Sequence, residues 1–265
     1  MTAYVLAGGQ GTRLAALYPD LPKSLVPVAG RAFLDHQLAW LAAHGLTDVV
    51  LCAGHRGEAL AAHVGDGRAF GVRVRVVVED RPRGTAGALA SAIRALGESR
   101  TFFAVNGDTW AEFDPERLES AHRRLAAAAT VACYRVPDAS GRGVVEPEGA
   151  AGTAAPGGTA APAGEAAPGG MAASGGQAVR LSGFREKAAA GPAWVSGGIY
   201  LLEPDALASV DEEAASLECD VFPRLVAIGR TVAGVLFEGR FWDMGTPAGR
   251  AEAEAALAGA SEERG

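Results

Sequence analysis

The residues best suited to chemistry begin with Leu6-Ala7-Gly8-Gly9-Gln10-Gly11-Thr12-Arg13-Leu14, followed by Pro22-Lys23. An apolar, strand-like run passes directly into three glycines within four positions. Glycine admits positive φ and lets backbone N–H groups approach an anion closely. A helical turn after it would add the positive end of its dipole. A glycine turn by itself is an ordinary strand-to-helix connection. Arg13 and Lys23 change the reading, because they add cationic donors suited to a polyphosphate. A Walker A loop needs Gly-Lys, and the chain contains no such pair. The dinucleotide fingerprint fails too, since Leu14 stands where the third glycine would follow Gly9-x-Gly11.

Two acidic segments could serve the same phosphates. Asn106-Gly107-Asp108 closes an apolar strand, and open α/β sheets bind ligands at the carboxyl ends of their strands. Magnesium takes one or two carboxylates plus phosphate oxygens. The same tripeptide also reads as a plain turn. Asp243 lies in Phe241-Trp242-Asp243-Met244-Gly245-Thr246-Pro247, which is also a helix start, with Thr246 as cap and Pro247 in the first turn. In Glu79-Asp80-Arg81-Pro82-Arg83-Gly84-Thr85-Ala86-Gly87, Gly84 permits close backbone approach and Thr85 offers a hydroxyl. A carboxylate at Glu79 can accept the adjacent N–H donors of guanine together, an arrangement adenine lacks. A solvated strand end is the other reading of Glu79. Glu186 and Lys187, in Gly183-Phe184-Arg185-Glu186-Lys187, are an exposed pair if they stand alone.

Taken together, these segments resemble the signature of the sugar-phosphate nucleotidyltransferases. The chain is most similar to the short heptose-1-phosphate and mannose-1-phosphate guanylyltransferase group, over nearly its whole length apart from one Gly/Ala/Pro-rich stretch. Three positions depart from the family pattern. Arg83 replaces an apolar residue, Met244 a smaller β-branched one, and Ser196-Gly197-Gly198 stands where Asn-Ala-Gly is common. The resemblance implies an α/β, Rossmann-like three-layer sandwich of the nucleotide-diphospho-sugar transferase type, with a mostly parallel mixed sheet. It implies Mg2+ on Asp108 and Asp243, and catalytic roles for Arg13, Lys23, Asp108 and Lys187. Nucleotide contacts would come from Leu6, Ala7, Gly8, Gly9, Gly11, Thr12, Arg13, Lys23, Glu79, Gly84 and Thr85. Sugar-phosphate contacts would come from Gly143, Glu186, Lys187 and Gly198. The expected substrates are a nucleoside triphosphate, with GTP favoured, and a sugar 1-phosphate of the heptose or mannose type. The attacking phosphate oxygen is already anionic, so no general base is required. The obstacle is repulsion between polyanions, which cations and positioning offset. UDP- or dTDP-sugar synthesis, as in an N-acetylmuramate-1-phosphate uridylyltransferase, is the alternative among enzymes. A catalytically silent nucleotide-sensing domain and a dinucleotide-binding dehydrogenase are alternatives from other classes.

The elements that must position these residues alternate in type. Apolar runs predict strands over 4–7, 48–53, 72–78 and 101–105. Leu34, Leu38 and Leu41, and again Leu89, Ile93 and Leu96, recur at helical spacing. That alternation favours a largely parallel sheet with helices on both faces. Further expectations are helices over 115–128, 220–227 and 247–257, and strands over 130–136, 143–146, 179–184, 198–202 and 232–237. Between 149 and 178, 24 of 30 residues are Gly, Ala or Pro. Such a stretch cannot bury enough side chain to offset its ordering entropy. It is read as a disordered insertion within a single domain spanning 1–265.

The composition excludes several classes. A net charge of −7 argues against general nucleic-acid affinity, since a polyanion needs a basic face, while a pocket for a nucleotide can still be locally basic. The N-terminus has no charged-then-apolar leader, and no apolar run approaches a membrane span. Cys52, Cys133 and Cys219 are odd in number and widely spaced, which points to reduced thiols in a cytoplasmic setting. His36, His44, His55, His63 and His122 lack paired ligand spacing, and no serine sits in a nucleophile elbow. The identity of the sugar, the base and the oligomeric state stay open at this level.

Overall fold

The computed structural model describes residues 1–9, 18, 21–54, 56–140, 142–149, 174–185, 190–210, 214–245 and 247–262, without the side chains of 174–175, 247–248 and 258–262. Among the described residues, strands β1 (Thr2–Ala7), β2 (Pro27–Val28), β3 (Arg31–Ala32), β4 (Asp48–Ala53), β5 (Arg73–Val78), β6 (Phe102–Asn106), β7 (Thr109–Ala111), β8 (Ala129–Val136), β9 (Val144–Pro147), β10 (Ser174–Arg185), β11 (Ala193–Leu202), β12 (Val232–Glu238) and β13 (Phe241–Asp243) are accompanied by six α-helices. These are α1 (Phe33–Ala43), α2 (Gly57–Val64), α3 (Gly84–Leu96), α4 (Pro115–Arg124), α5 (Phe222–Ala227) and α6 (Pro247–Glu262).

Nine strands form one sheet in the order β5-β4-β1-β6-β11-β8-β12-β10-β9. The first four are parallel, as are β8 and β12; β11 runs antiparallel to both β6 and β8. Residues alternate between the two faces, and both faces are dry. Ala3, Val5, Val49, Leu51, Phe103 and Val105 enter one core with Leu34, Leu38 and Leu41 of α1, Leu60 of α2, Leu118 of α4 and Ala253 of α6. Tyr4, Val50, Cys52, Phe102 and Ala104 enter the other with Leu89 and Ile93 of α3 and Phe222 and Leu225 of α5. Burial on both sides explains why these strands read as unbroken apolar runs. The three-layer, mostly parallel mixed architecture expected from the sequence is the one observed.

Beside the earlier start of β11, at Ala193 rather than 198, three differences from expectation stand out. The Asp114 side chain and Pro115 start α4 as an N-cap and first-turn proline should, with Asp114 accepting from Glu116 N at 3.0 Å. The helix closes at Arg124 rather than near 128, because Ala126 turns to φ +46° and Ala128 N–H is drawn to Thr231 O at 2.9 Å. Strand β10 starts at Ser174, inside the stretch read as a disordered insertion, and Gln177 and Ala178 pair with Leu236 and Val235 of β12. Backbone pairing needs no side-chain burial, which is what the composition measured. Residues 150–173 lie outside the described residues. The third difference is a separate two-stranded ribbon, β7 with β13, that no sequence pattern announced.

Candidate active site

The parallel strands β1, β4, β5 and β6 deliver their carboxyl ends to one edge of the sheet. Gly8, Gly54, Glu79 and Gly107 therefore come together there. The approach is tight: Gly107 N donates to Leu6 O at 2.9 Å, and a Cβ on Gly107 would sit 2.6 Å from that oxygen. Above this edge opens a cleft of about 320 Å³. Leu6, Ala7, Gly8 and Gly9 line it from the end of β1, Gly84 and Thr85 from the start of α3, and Lys23, Glu79 and Asp108 are among the other lining residues. All nine were expected at a nucleotide or metal site. Gly11, Thr12 and Arg13 lie outside the described residues.

Lys23 opens a short 3-10 turn, Lys23–Leu25, after the extended Pro22. Its ammonium is ion-paired with Asp108 Oδ2, and both side chains are largely covered. Asp243 reaches the same place through the β7–β13 ribbon. Asp243 pairs with Thr109 and Trp242 with Trp110, and Met244 N donates to Asp108 O at 2.8 Å. The Trp110 and Trp242 rings pack 4.9 Å apart and anchor the ribbon. Asp243 Oδ1 accepts from Gly245 N at 2.7 Å. A Cβ on Gly245 would lie 2.7 Å from Asp243 Oδ1 and 2.9 Å from Lys23 Nζ, so one ammonium and two carboxylates meet around that point.

Glu79 lies below Gly8, where an added Cβ would come 2.9 Å from Glu79 Oε2. Its Oε1 is buried without a hydrogen-bond partner. Burial pushes the Glu79 carboxyl above its ordinary pKa, against the opposing pull of Arg83. An acceptor of this kind lining a cleft is poised for donors from a ligand.

Gly84 and Thr85 do more than face the cleft. Gly84 adopts φ +67°, and a Cβ there would lie 2.4 Å from Ala215 O. Ala215 N donates to Arg83 O and Ala86 N to Ala215 O, both at 2.9 Å. Thr85 Oγ1 accepts from Leu217 N at 2.9 Å. The glycine thus accommodates the 215–217 segment, and the Thr85 oxygen is already engaged as an acceptor.

Of the residues expected at the sugar phosphate, Gly143 faces Glu218, with a notional Cβ 2.9 Å from Glu218 Oε2. Gly198, at φ +69°, stacks against Asn106, its notional Cβ 2.7 Å from Asn106 Nδ2. Glu186 and Lys187 lie outside the described residues.

Three contributors escaped the sequence reading. Gln37, fully buried on α1, donates to Asn106 O at 2.8 Å and Thr109 O at 2.9 Å, clamping the turn that carries Asp108. Its signal was a polar residue three positions after Leu34 and four before Leu41, on the apolar face of the helix. Asn106 lines the cleft with a buried, unpartnered Oδ1. Glu218 lies just ahead of the helix expected over 220–227, in a turn that Ser216 caps, accepting from Cys219 N at 3.2 Å. The histidines take structural partners: His122 contacts Thr130 Oγ1 at 2.8 Å and Glu203 Oε1 at 3.0 Å, and His36 contacts Val28 O at 2.8 Å. His55 lies outside the described residues.

Known proteins share this organisation. Residues 2–259 match the family model described as nucleotidyl transferase. The mannose-1-phosphate guanylyltransferase of Mycobacterium tuberculosis is 30% identical over 248 residues, covering 92% of this chain and 61% of its own. The mannose-1-phosphate guanyltransferase of Aspergillus fumigatus is 30% identical over 250 residues, covering 93% and 61%. The chain therefore spans about three fifths of the length of the curated relatives it matches. The crystal structure of HddC from Yersinia pseudotuberculosis complexed with GMP-PN is alike in fold, with TM-score 0.75 over 97% of this chain and 99% of that one, at 21% identity.

Proposed function

The chain belongs to the nucleotidyl transferase family, and from that premise we propose that it transfers a guanylyl group from GTP to a sugar 1-phosphate of the mannose or heptose type. A sugar-phosphate oxygen attacks the α-phosphorus in line. The bond from that phosphorus to the bridging oxygen of the β-phosphate breaks, and pyrophosphate leaves with the electron pair. The observation that carries this reading is the meeting of Lys23, Asp108 and Asp243 beside a cleft at the carboxyl edge of the sheet.

The donor set suits magnesium: two carboxylates near one point, hard oxygen ligands, and phosphates to complete the shell. Asp108 and Asp243 would hold it, and when bound it would neutralise phosphate charge. Lys23 exchanges Asp108 for a phosphate oxygen of the entering nucleotide and stabilises the departing pyrophosphate. Arg13 assists from the same loop. Lys187 and Glu186 address the attacking sugar phosphate, with Gly143 and Gly198 leaving room for the ring. Glu79 supports the choice of guanine, because its buried acceptor matches the N1–H and N2–H donors of that base.

The buried thiols Cys52 and Cys133 form no disulfide, and burial raises the pKa of both. They support a reducing, cytoplasmic setting. Among the described residues no helix is long and apolar enough to cross a membrane. The test is pyrophosphate release with Mg2+ for four triphosphates against mannose and heptose 1-phosphates. GTP with one of these sugars is the expected productive pair. Absence of release in every combination would refute the reading.

A further inference from the structure

A polar chain leads away from the cleft on the side opposite Glu79. The Tyr200 hydroxyl, fully buried on β11, donates to Glu218 Oε1 at 2.7 Å and also contacts the Asn106 side chain. Ser196 Oγ lies 3.3 Å from the same hydroxyl and accepts from Gly198 N at 3.2 Å. The other carboxylate oxygen of Glu218 faces Gly143. Gly143, Phe184, Arg185, Ser196, Glu218 and Cys219 line a shallow hollow there.

Glu218 is held from two directions. Its turn, Leu217–Val221, is capped by Ser216 and stitched to α3 through Thr85, which borders the cleft, while Ala215 just before it accepts from Ala86 N. Tyr200 fixes the carboxylate from the sheet. A half-buried carboxylate so oriented spends one oxygen on the protein and turns the other to a glycine whose missing side chain leaves the hollow open. That is the arrangement of a hydroxyl acceptor. Arg185 is engaged by Glu146, not by Glu218.

We infer that Glu218 accepts a hydroxyl of the sugar phosphate, with Tyr200 as its positioning residue, and so sets which sugar the site takes. The inference rests on the proposed function, since it presumes that a sugar phosphate enters from the Gly143 side. Hydrogen bonds to charged groups are among the stronger ones, and a partner lacking its hydroxyl leaves the carboxylate unmatched.

The experiment uses the full chain, GTP and Mg2+, with whichever of mannose 1-phosphate and heptose 1-phosphate the wild type turns over, plus singly deoxygenated analogues of that sugar. For Glu218→Gln, the KM for sugar phosphate rises roughly tenfold to a hundredfold, while the KM for GTP stays within about twofold. One deoxy analogue is poor for the wild type, yet Glu218→Gln takes it as readily as the parent sugar. Tyr200→Phe, which keeps the buried ring, shifts the sugar KM in the same direction by less. An active wild type with an unchanged sugar KM in Glu218→Gln overturns the inference, as does a deoxy penalty equal in both proteins. A wild type inert toward every pair overturns the proposed function instead.

Discussion

Replacing Glu79 with Gln separates recognition from stability. The substitution keeps the shape of the side chain but exchanges one acceptor oxygen for an NH2 donor, directed at guanine donors. Glu79 Oε1 is buried without a partner, so in the free protein no internal hydrogen bond is lost at that atom. With GTP bound, a charge-assisted contact becomes a clash of donors. Hydrogen bonds to charged groups contribute about 1.5–3 kcal/mol, equivalent to a loss of roughly tenfold to a hundredfold in kcat/KM for GTP. ITP, which lacks the N2 donors, supplies the control. Wild type should prefer GTP over ITP by about tenfold, and Glu79→Gln should lose that preference. Stability moves the other way. Burial raises the Glu79 pKa above its unfolded value, so the folded state favours the protonated acid. The stability this gives is fully present below the unfolded pKa and is lost as pH rises through the folded one. At neutral pH the carboxylate therefore works against folding, and Glu79→Gln should melt at or above the wild-type temperature. Steady-state kinetics with GTP and ITP, paired with thermal melts, measures both. A variant that keeps its GTP efficiency and its preference over ITP would refute the assignment.

Three other outcomes follow from the same geometry. Lys23→Ala removes the ammonium between the two carboxylates and should lower kcat by about 10²–10³-fold, the scale of losing one charge-stabilising donor; a normal turnover rate would refute its role. Asp243→Asn should lower kcat by about 10²-fold or more and raise the Mg2+ concentration for half-maximal rate, read from a metal titration; an unaltered titration would count against metal ligation. Gln37→Leu deprives two carbonyls of a buried donor and should cost about 2 kcal/mol, a fall in Tm of about 4–8 °C for a chain of this size. A melt at the wild-type temperature would show that the clamp contributes little.

Sequence made strands β1, β4, β5 and β6 legible because a doubly covered parallel strand must be apolar throughout, and the glycine-rich segment after β1 stands out by its spacing. The expected β1 over 4–7 falls inside Thr2–Ala7. Other features carry no such signature. Strands β7 and β13 are three residues each, too short for any period, and each is specified by the other across the chain. Asp243 therefore looked like a helix preface, and only the family resemblance paired it with Asp108. Glu218 was hidden by a local signal that was itself correct: the Ser216 cap accounts for the turn, while the tie to Tyr200 is tertiary. Gly84 lines the cleft, and its backbone freedom also accommodates Ala215, a neighbour no local pattern names.

The ribbon of β7 and β13 also sets a timetable. Asp108 belongs to the first half of the polypeptide and Asp243 to its closing stretch, next to α6, yet the two must stand side by side. A growing chain that has emerged only as far as Asp108 possesses just one of the two acids. Any product cut short before residue 243 would lack one member of the acidic pair that meets Lys23.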